Sequence, residues 1–291
     1  MNRTWGWVGG LGCLLAVESG QGQVLYDGSL GSLPSAQGWS FVAFPALAGE
    51  TWSDGGAHLD TMTLDGISAG WSRISPTPLD RQRGFSLALD LELFQESHVS
   101  TNRAGLSVIV LGADKKGIEL GFWTDRIWAQ SDVPLFTQAE SAEIQVVGGR
   151  RRLELFVGLE QYALRLEGAP VLTGAVRDYT AFTGFIDPYE TANFLFIGDN
   201  TGSARGRYRL HGVELRMAPM ELPELRARRL GEGQVELRWA NPTGWTGWAL
   251  EALSALPAGR WEEVAGERTV DGEDTVTVVE AVGEQRWYRV R

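Results

Sequence analysis

A chain of 291 residues is long enough for two domains of ordinary size, and a 43% hydrophobic composition with 37 glycines, 12 tryptophans and 11 phenylalanines describes a folded, turn-rich β protein rather than a disordered one. The formal charge of −11 argues against a nucleic-acid backbone as partner, since that needs a Lys/Arg stripe for counterion release. It leaves neutral polysaccharide, protein or divalent cations, beside the plainer reading of simple solubility.

Residues 1–23 read as a signal peptide, with Arg3 in the positive region, an apolar run from Trp5 to Val17 and a small-residue exit at Ser19–Gly22. The run is shorter than the roughly 20 residues a bilayer span takes. Gly10-Leu11-Gly12-Cys13 admits a lipoprotein reading, with glycine where a large aliphatic belongs. No later stretch is apolar enough for an integral membrane anchor, so the expected location is secreted, extracellular, periplasmic or at the cell surface. Because Cys13 is the single cysteine, the chain beyond the leader has no disulfide, thiolate zinc site or cysteine nucleophile, and its cores alone must hold it together.

From Val24 the pattern is that of short strands. Tyr26-Asp27-Gly28 is a turn, Trp39–Ala43 a strand, and residues 51–74 alternate around Leu59, Met62, Ile67 and Trp71 before the loop Ser75-Pro76-Thr77-Pro78. In Gly84–Glu92, Phe85, Leu87, Leu89 and Leu91 take one side and Ser86, Ala88, Asp90 and Glu92 the other. The meander from Arg103 to Gln130 follows: Leu106, Val108 and Val110, then the loop Gly112–Gly117, then Ile118, Leu120 and Phe122. Further strands are expected at Ala142–Val147, Arg152–Val157, Tyr162–Leu166, Val171-Leu172, Phe194–Ile197 and Gly206–Arg216. No segment offers a helix of three turns.

Two prolines and a loss of alternation mark a linker at 218–224. Beyond it, Leu225–Arg229, Gln234–Ala240, Trp248–Leu253, Trp261–Val264, Thr275–Val279 and Arg286–Val290 give a second, smaller set of strands with the turn rhythm of an immunoglobulin-like sandwich. The expected organisation is all-β: a jelly-roll sandwich over 24–217 and a small sandwich over 225–291.

The polar phase of the meander carries the candidate site. Alternation puts Glu119 and Trp123 on one face of their strand, and Arg126, Trp128 and Gln130 on one face of the next, with Arg103 close by. Glu119, Arg103 and Arg126 with stacking indoles suit a polar, ring-shaped ligand. They equally suit a buried ion pair with core aromatics. Asp199 and Asn200, with Asp178 or Asp187, offer hard oxygen ligands to calcium, although Asx turns explain them as well. No other cofactor is expected. His98, in a stretch read as a strand-to-strand loop, is a conceivable general base.

The segments YDGSLGSLPSAQGW, NRAGLSVIVLGADKKGIELGFW, DRIWAQ, LTGAVRDYTAF and NFLFIGDNTGSARGRYRLHGVEL together resemble the choice-of-anchor Y domain of exported bacterial proteins over residues 24–217. That resemblance implies a concanavalin A- or LamG-like jelly roll, without an enzymatic activity to carry over. Leu237, Trp239, Trp261, Val264, Thr275, Val276, Tyr288, Arg289 and Val290 are similar in spacing to small fibronectin type III-like modules of exported proteins. Concanavalin-like hydrolases place Glu-x-Asp-x-x-Glu on one strand. Here Glu119-Leu120-Gly121-Phe122-Trp123 lacks the middle Asp and the second Glu, although Glu92 or Glu96 on another strand could supply a partner. The expectation is therefore a non-catalytic lectin-like or adhesion module contacting polysaccharide or a cell-surface glycan. The alternative is a lyase or hydrolase with a site on the concave sheet face.

Overall fold

The computed structural model describes residues 22–63, 65–184, 186–217, 225–231, 234–240, 250–253, 262–264, 268–271, 274–280 and 287–290. Cys13, nearly all of the expected leader and the expected linker at 218–224 lie outside them. In chain order the strands are β1 (Gln23–Asp27), β2 (Ser40–Phe44), β3 (Glu50–Ser53), β4 (Gly56–Asp60), β5 (Ser68–Ile74), β6 (Phe85–His98), β7 (Ser107–Leu111) and β8 (Gly117–Phe122). There follow β9 (Arg126–Asp132), β10 (Leu135–Glu143), β11 (Arg151–Val157), β12 (Gln161–Leu166), β13 (Ala169–Ala175), β14 (Phe194–Asp199) and β15 (Ala204–Arg216). Among the described residues the helical pieces are two 3₁₀ turns, Gly28–Leu30 and Pro34–Gln37.

These strands make a two-sheet antiparallel jelly-roll sandwich. One sheet runs β13-β12-β11-β6-β15-β4-β3, with β1 also paired to β15; the other runs β10-β9-β8-β7-β14-β5-β2. The meander forms as its alternation requires, with β7 against β8 in the register Ile109↔Glu119 and β8 against β9 in the register Gly121↔Trp128. β14, far along the chain, inserts between β7 and β5.

Every second side chain points between the sheets. Leu87, Leu89, Leu91, Leu153, Leu155, Tyr208 and Leu210 from the first sheet meet Trp71, Val108, Val110, Ile118, Leu120, Phe122 and Ile197 from the second, each 1% exposed or less. Burial of each such side chain contributes about 1.5–3 kcal/mol, so a core of this size can stand without a disulfide. Of the four buried indoles, Trp39 donates to the Leu25 carbonyl at 2.9 Å and Trp71 to Glu50 at 2.6 Å, while Nε1 of Trp128 and of Trp239 has no partner among the described residues.

The outer faces differ. On the eight-stranded sheet the outward phase is a solvated charge lattice, Arg207 to Asp60 at 2.7 Å, Arg209 to Glu92 and Arg152 to Asp90 at 3.4 Å each. In the middle of the seven-stranded sheet the outward phase is Ser107, Ile109, Glu119, Trp128, Gln130 and Phe196, all buried. A second apolar cluster of Ile109, Leu111, Phe136, Tyr179, Tyr189 and Phe196 covers its middle. Tyr179 and Tyr189 come from the aromatic segment before β14, so a loop is folded over this sheet.

Beyond residue 224 lie β16 (Leu225–Gly231), β17 (Gln234–Ala240), β18 (Leu250–Leu253), β19 (Glu262–Glu263), β20 (Arg268–Asp271), β21 (Asp274–Glu280) and β22 (Trp287–Val290). They form two further sheets, β16-β17-β21-β20 and β19-β18-β22. Among their buried residues, Leu237, Trp239, Leu250 and Val279 cluster with Ala163 and Phe156 of the larger sandwich. Four strand assignments change, the first because Tyr26 and Asp27, expected in a turn, belong to β1. The strand expected at Ala142–Val147 runs Leu135–Glu143, β20 was not foreseen, and His98 ends β6 rather than sitting in a loop.

Candidate functional site

Glu119 is the centre of the outward phase, and it is fully buried. Its carboxylate accepts a short hydrogen bond from the Tyr189 hydroxyl and one from Asn200 Nδ2 at 2.8 Å, while the Arg103 guanidinium lies 3.9 Å away. The Tyr179 hydroxyl accepts the Glu119 backbone N–H at 3.2 Å and donates to the Gln130 carbonyl at 2.7 Å. Burial pushes the Glu119 carboxyl up from its ordinary range, against the opposing pull of Tyr189, Arg103 and Asn200. Burial likewise holds the Tyr179 and Tyr189 phenols well above theirs.

The aromatics beside it are packed. Trp128 lies flat over Gly121, its cross-strand partner, where a Cβ would come within 2.5 Å of the indole. Trp123 is stacked on His98 at 3.8 Å with 3° between planes and meets Trp128 edge-on at 4.8 Å. Its Nε1 donates to the Arg103 carbonyl at 2.9 Å. Arg126 sits 5.4 Å from the Trp123 ring and bonds Glu143 at 3.0 Å; Gln130 Nε2 donates to the Asn102 carbonyl at 2.9 Å. His98 Nδ1 is 2.9 Å from the Glu96 carboxylate. Glu92, weighed as a second acid, points outward from the other sheet and pairs with Arg209 and His211, so the sandwich separates it from Glu119.

Next to this wall a groove of about 860 Å³ opens over β2, β5 and β14. Gly70 and Gly198 face one another across β5 and β14 beneath the Phe196 ring; a Cβ on either would meet that ring and the other strand's backbone within 2.8 Å. Phe41, Phe44, Phe136, Phe182, Phe194 and Phe196 contribute to the groove's lining, and Asp187, Tyr189 and Thr191 bring the covering loop to its edge. Of the residues singled out from the sequence, Arg103, Asp199 and Asn200 reach the groove. Glu119, Trp128 and Gln130 are buried behind it, and Trp123 and Arg126 stand to one side. Tyr189 links the two zones, with its ring in the groove and its hydroxyl on Glu119. Reading the sequence alone missed the phenylalanine lining. Its one visible signal was the aromatic, turn-rich run Asp178–Tyr189.

Asp199 is fully buried at the groove's base, bonded by Thr61 Oγ1 at 2.8 Å and the Thr201 N–H at 3.1 Å. Burial, helped slightly by the Glu96 charge, pushes its carboxyl up to about 8. Asn200 Oδ1 accepts from Ser107 Oγ at 3.1 Å. Asp178 caps Thr180 and Asp187 caps the Tyr189 N–H at 3.0 Å. Calcium takes six to eight oxygens. Among the described residues no three His, Cys, Asp or Glu side chains gather as a metal site, and these oxygens are spent on local bonds. Among the described residues, Asp199, Asn200, Asp178 and Asp187 therefore do not make a donor set that fits a calcium ion.

Comparison with solved structures returns similar sandwiches. The carbohydrate esterase vb_24B_21 from Shiga toxin-encoding bacteriophage phi24B is similar at TM-score 0.46 and 12% identity, over 68% of this chain and 99% of its own. A protein of unknown function with a galectin-like fold from Bacillus subtilis gives 0.44 and 11%, over 67% and 96%. The exoplasmic/lumenal domain of VIP36 in its Ca²⁺/mannose-bound form gives 0.41 and 9%, over 63% and 84%. No family model and no curated protein sequence matches the chain. Likenesses this distant assign no role to a residue here. Among the described residues no helix is long and apolar enough to cross a membrane.

Proposed function

We propose that the protein is an exported, non-catalytic module whose groove over β2, β5 and β14 binds a glycan. The observation that carries this is the groove itself: phenylalanine faces offer CH–π contact to sugar rings, while Arg103, Thr191 and Asn200 supply polar anchors. Glu119, the acid a hydrolase would recruit, is instead buried under Tyr189 and Asn200, where it braces the groove wall. On this reading, secretion follows from the leader at 1–23. Residues 24–217 are a choice-of-anchor Y-type domain, and 225–291 a fibronectin III-like unit that spaces or docks it. In support of the division, the described strands beyond 224 pair only among themselves.

A lyase is the second reading, favoured by one feature: Arg103 fronts the groove as a carboxylate-neutralising group would, with the ring of Tyr189 in the same lining. A glycan array run beside a reducing-end and unsaturated-product assay separates the two. Binding without turnover supports the module. Turnover that disappears in Tyr189→Phe would replace it with the enzyme, and the absence of any bound glycan would remove both.

A further inference from the structure

Arg103 stands in the loop between β6 and β7, fixed there because its carbonyl accepts the Trp123 indole N–H. Its guanidinium lies 4.3 Å from the centre of the Phe136 ring, and its side chain is 24% exposed where it lines the groove. A guanidinium carries five donors in a planar fork. Among the described residues, those of Arg103 make no hydrogen bond; the nearest anion, Glu119, is 3.9 Å away, beyond hydrogen-bonding distance. Two other sheltered guanidiniums, those of Arg73 and Arg177, are engaged, whereas Nε of Arg151 and of Arg165 has no partner among the described residues. Arg73 donates to the Leu25 and Gln37 carbonyls at 2.9 and 2.8 Å, and Arg177 grips both oxygens of Glu140 at 2.7 Å each.

Charge in the groove is lopsided in the same sense. Arg103 is the one Lys or Arg among the described lining residues. Of the acids there, Asp187 is turned to the Tyr189 N–H and Asp199 is sealed beneath Thr61 and Thr201. A cation fronting a largely apolar groove gains most from a planar anion that meets its fork with two parallel bonds.

We propose that Arg103 docks a carboxylate, so that the ligand of the groove, on the glycan reading from which this follows, is an oligosaccharide containing uronic acid. The carboxylate lies on the guanidinium fork and the CH face of the ring on the phenylalanines. The overall charge of −11 does not forbid this, because charges farther than about 8 Å are largely screened at physiological salt whereas a contact pair inside a groove is not.

Calorimetric titration of the whole protein with three probes tests it: a neutral glucan oligosaccharide, a galacturonate oligosaccharide of equal length, and 4-phenylbutyrate. The galacturonate binds about tenfold or more tighter than the glucan, and Arg103→Gln removes that preference. Arg103→Lys, which keeps the charge and loses the fork, retains part of it. Because Arg103→Gln also strips Glu119 of its counter-charge, Arg103→Gln with Glu119→Gln is the paired variant, neutral at both positions, and shows the same loss. Equal binding of both sugars, indifferent to Arg103, overturns the carboxylate assignment and leaves the glycan reading standing. Phenylbutyrate bound through Arg103 while neither sugar binds keeps the carboxylate and overturns the glycan. Failure of all three probes overturns both.

Discussion

Replacing Asp199 by asparagine tests the electrostatics of the groove base. Burial raises the carboxyl from 3.8 to about 8, so at neutral pH the folded protein keeps a proton that the unfolded chain has released. The sign follows from proton counts: between these two values the unfolded state binds fewer protons, so stability falls as pH rises. The contribution is fully present below about pH 4 and lost progressively up to about pH 8, at roughly 1.4 kcal/mol per pH unit. At pH 7 the accumulated cost is about 4 kcal/mol. Asparagine is neutral throughout and can keep both contacts, with Oδ1 accepting the Thr201 N–H and Nδ2 donating to Thr61 Oγ1, which otherwise has the Gly206 carbonyl at 3.3 Å as an acceptor. Asp199→Asn is therefore more stable than the parent above about pH 6, and the gap widens with pH. Urea unfolding followed by tryptophan fluorescence from about pH 5 to about pH 8 measures it, with unchanged m-values as the control for compactness. A gap that stays flat across that window, or an asparagine variant weaker at pH 8, refutes the reasoning and means that Asp199 is ionised in the fold.

Two further substitutions probe the wall behind the groove. Tyr189→Phe removes a donor from the buried Glu119 carboxylate and lowers stability by about 1–3 kcal/mol, most of it recovered in Tyr189→Phe with Glu119→Gln; thermal melts of the three variants check this. Gly121→Ala drives a methyl into the Trp128 ring and costs about 1–3 kcal/mol, read as a lowered unfolding midpoint.

Much of the sandwich was legible because its strands advertise one buried phase. Phe85, Leu87, Leu89 and Leu91 alternate without a break, and the meander of β7, β8 and β9 matches its expected span closely. β10 was displaced in the reading because Leu135–Glu143 is polar, and its pairing with β9 slips register twice. β20, only Arg268–Asp271, is too short to show a period. At the site, alternation correctly put Glu119, Trp128 and Gln130 on one face. It could not say what lies over that face, since Tyr179 and Tyr189 arrive 60 and 70 residues later in the chain. The groove was equally hidden: its lining brings Phe41 and Phe44 of β2 together with Phe194 and Phe196 of β14, more than a hundred residues apart in the chain, which no local pattern announces.

Ligand binding on the outer face of the seven-stranded sheet can be tested face against face. Phe44, 54% exposed at the groove, and Phe94, 39% exposed on the outer face of the other sheet beside Arg209, give a matched pair of alanine substitutions. Titrating the tightest array-selected oligosaccharide into both variants decides between the faces. Affinity falls by about 0.5–1.5 kcal/mol in Phe44→Ala and is unchanged in Phe94→Ala; undiminished binding by Phe44→Ala with loss in Phe94→Ala would place the ligand on the other sheet.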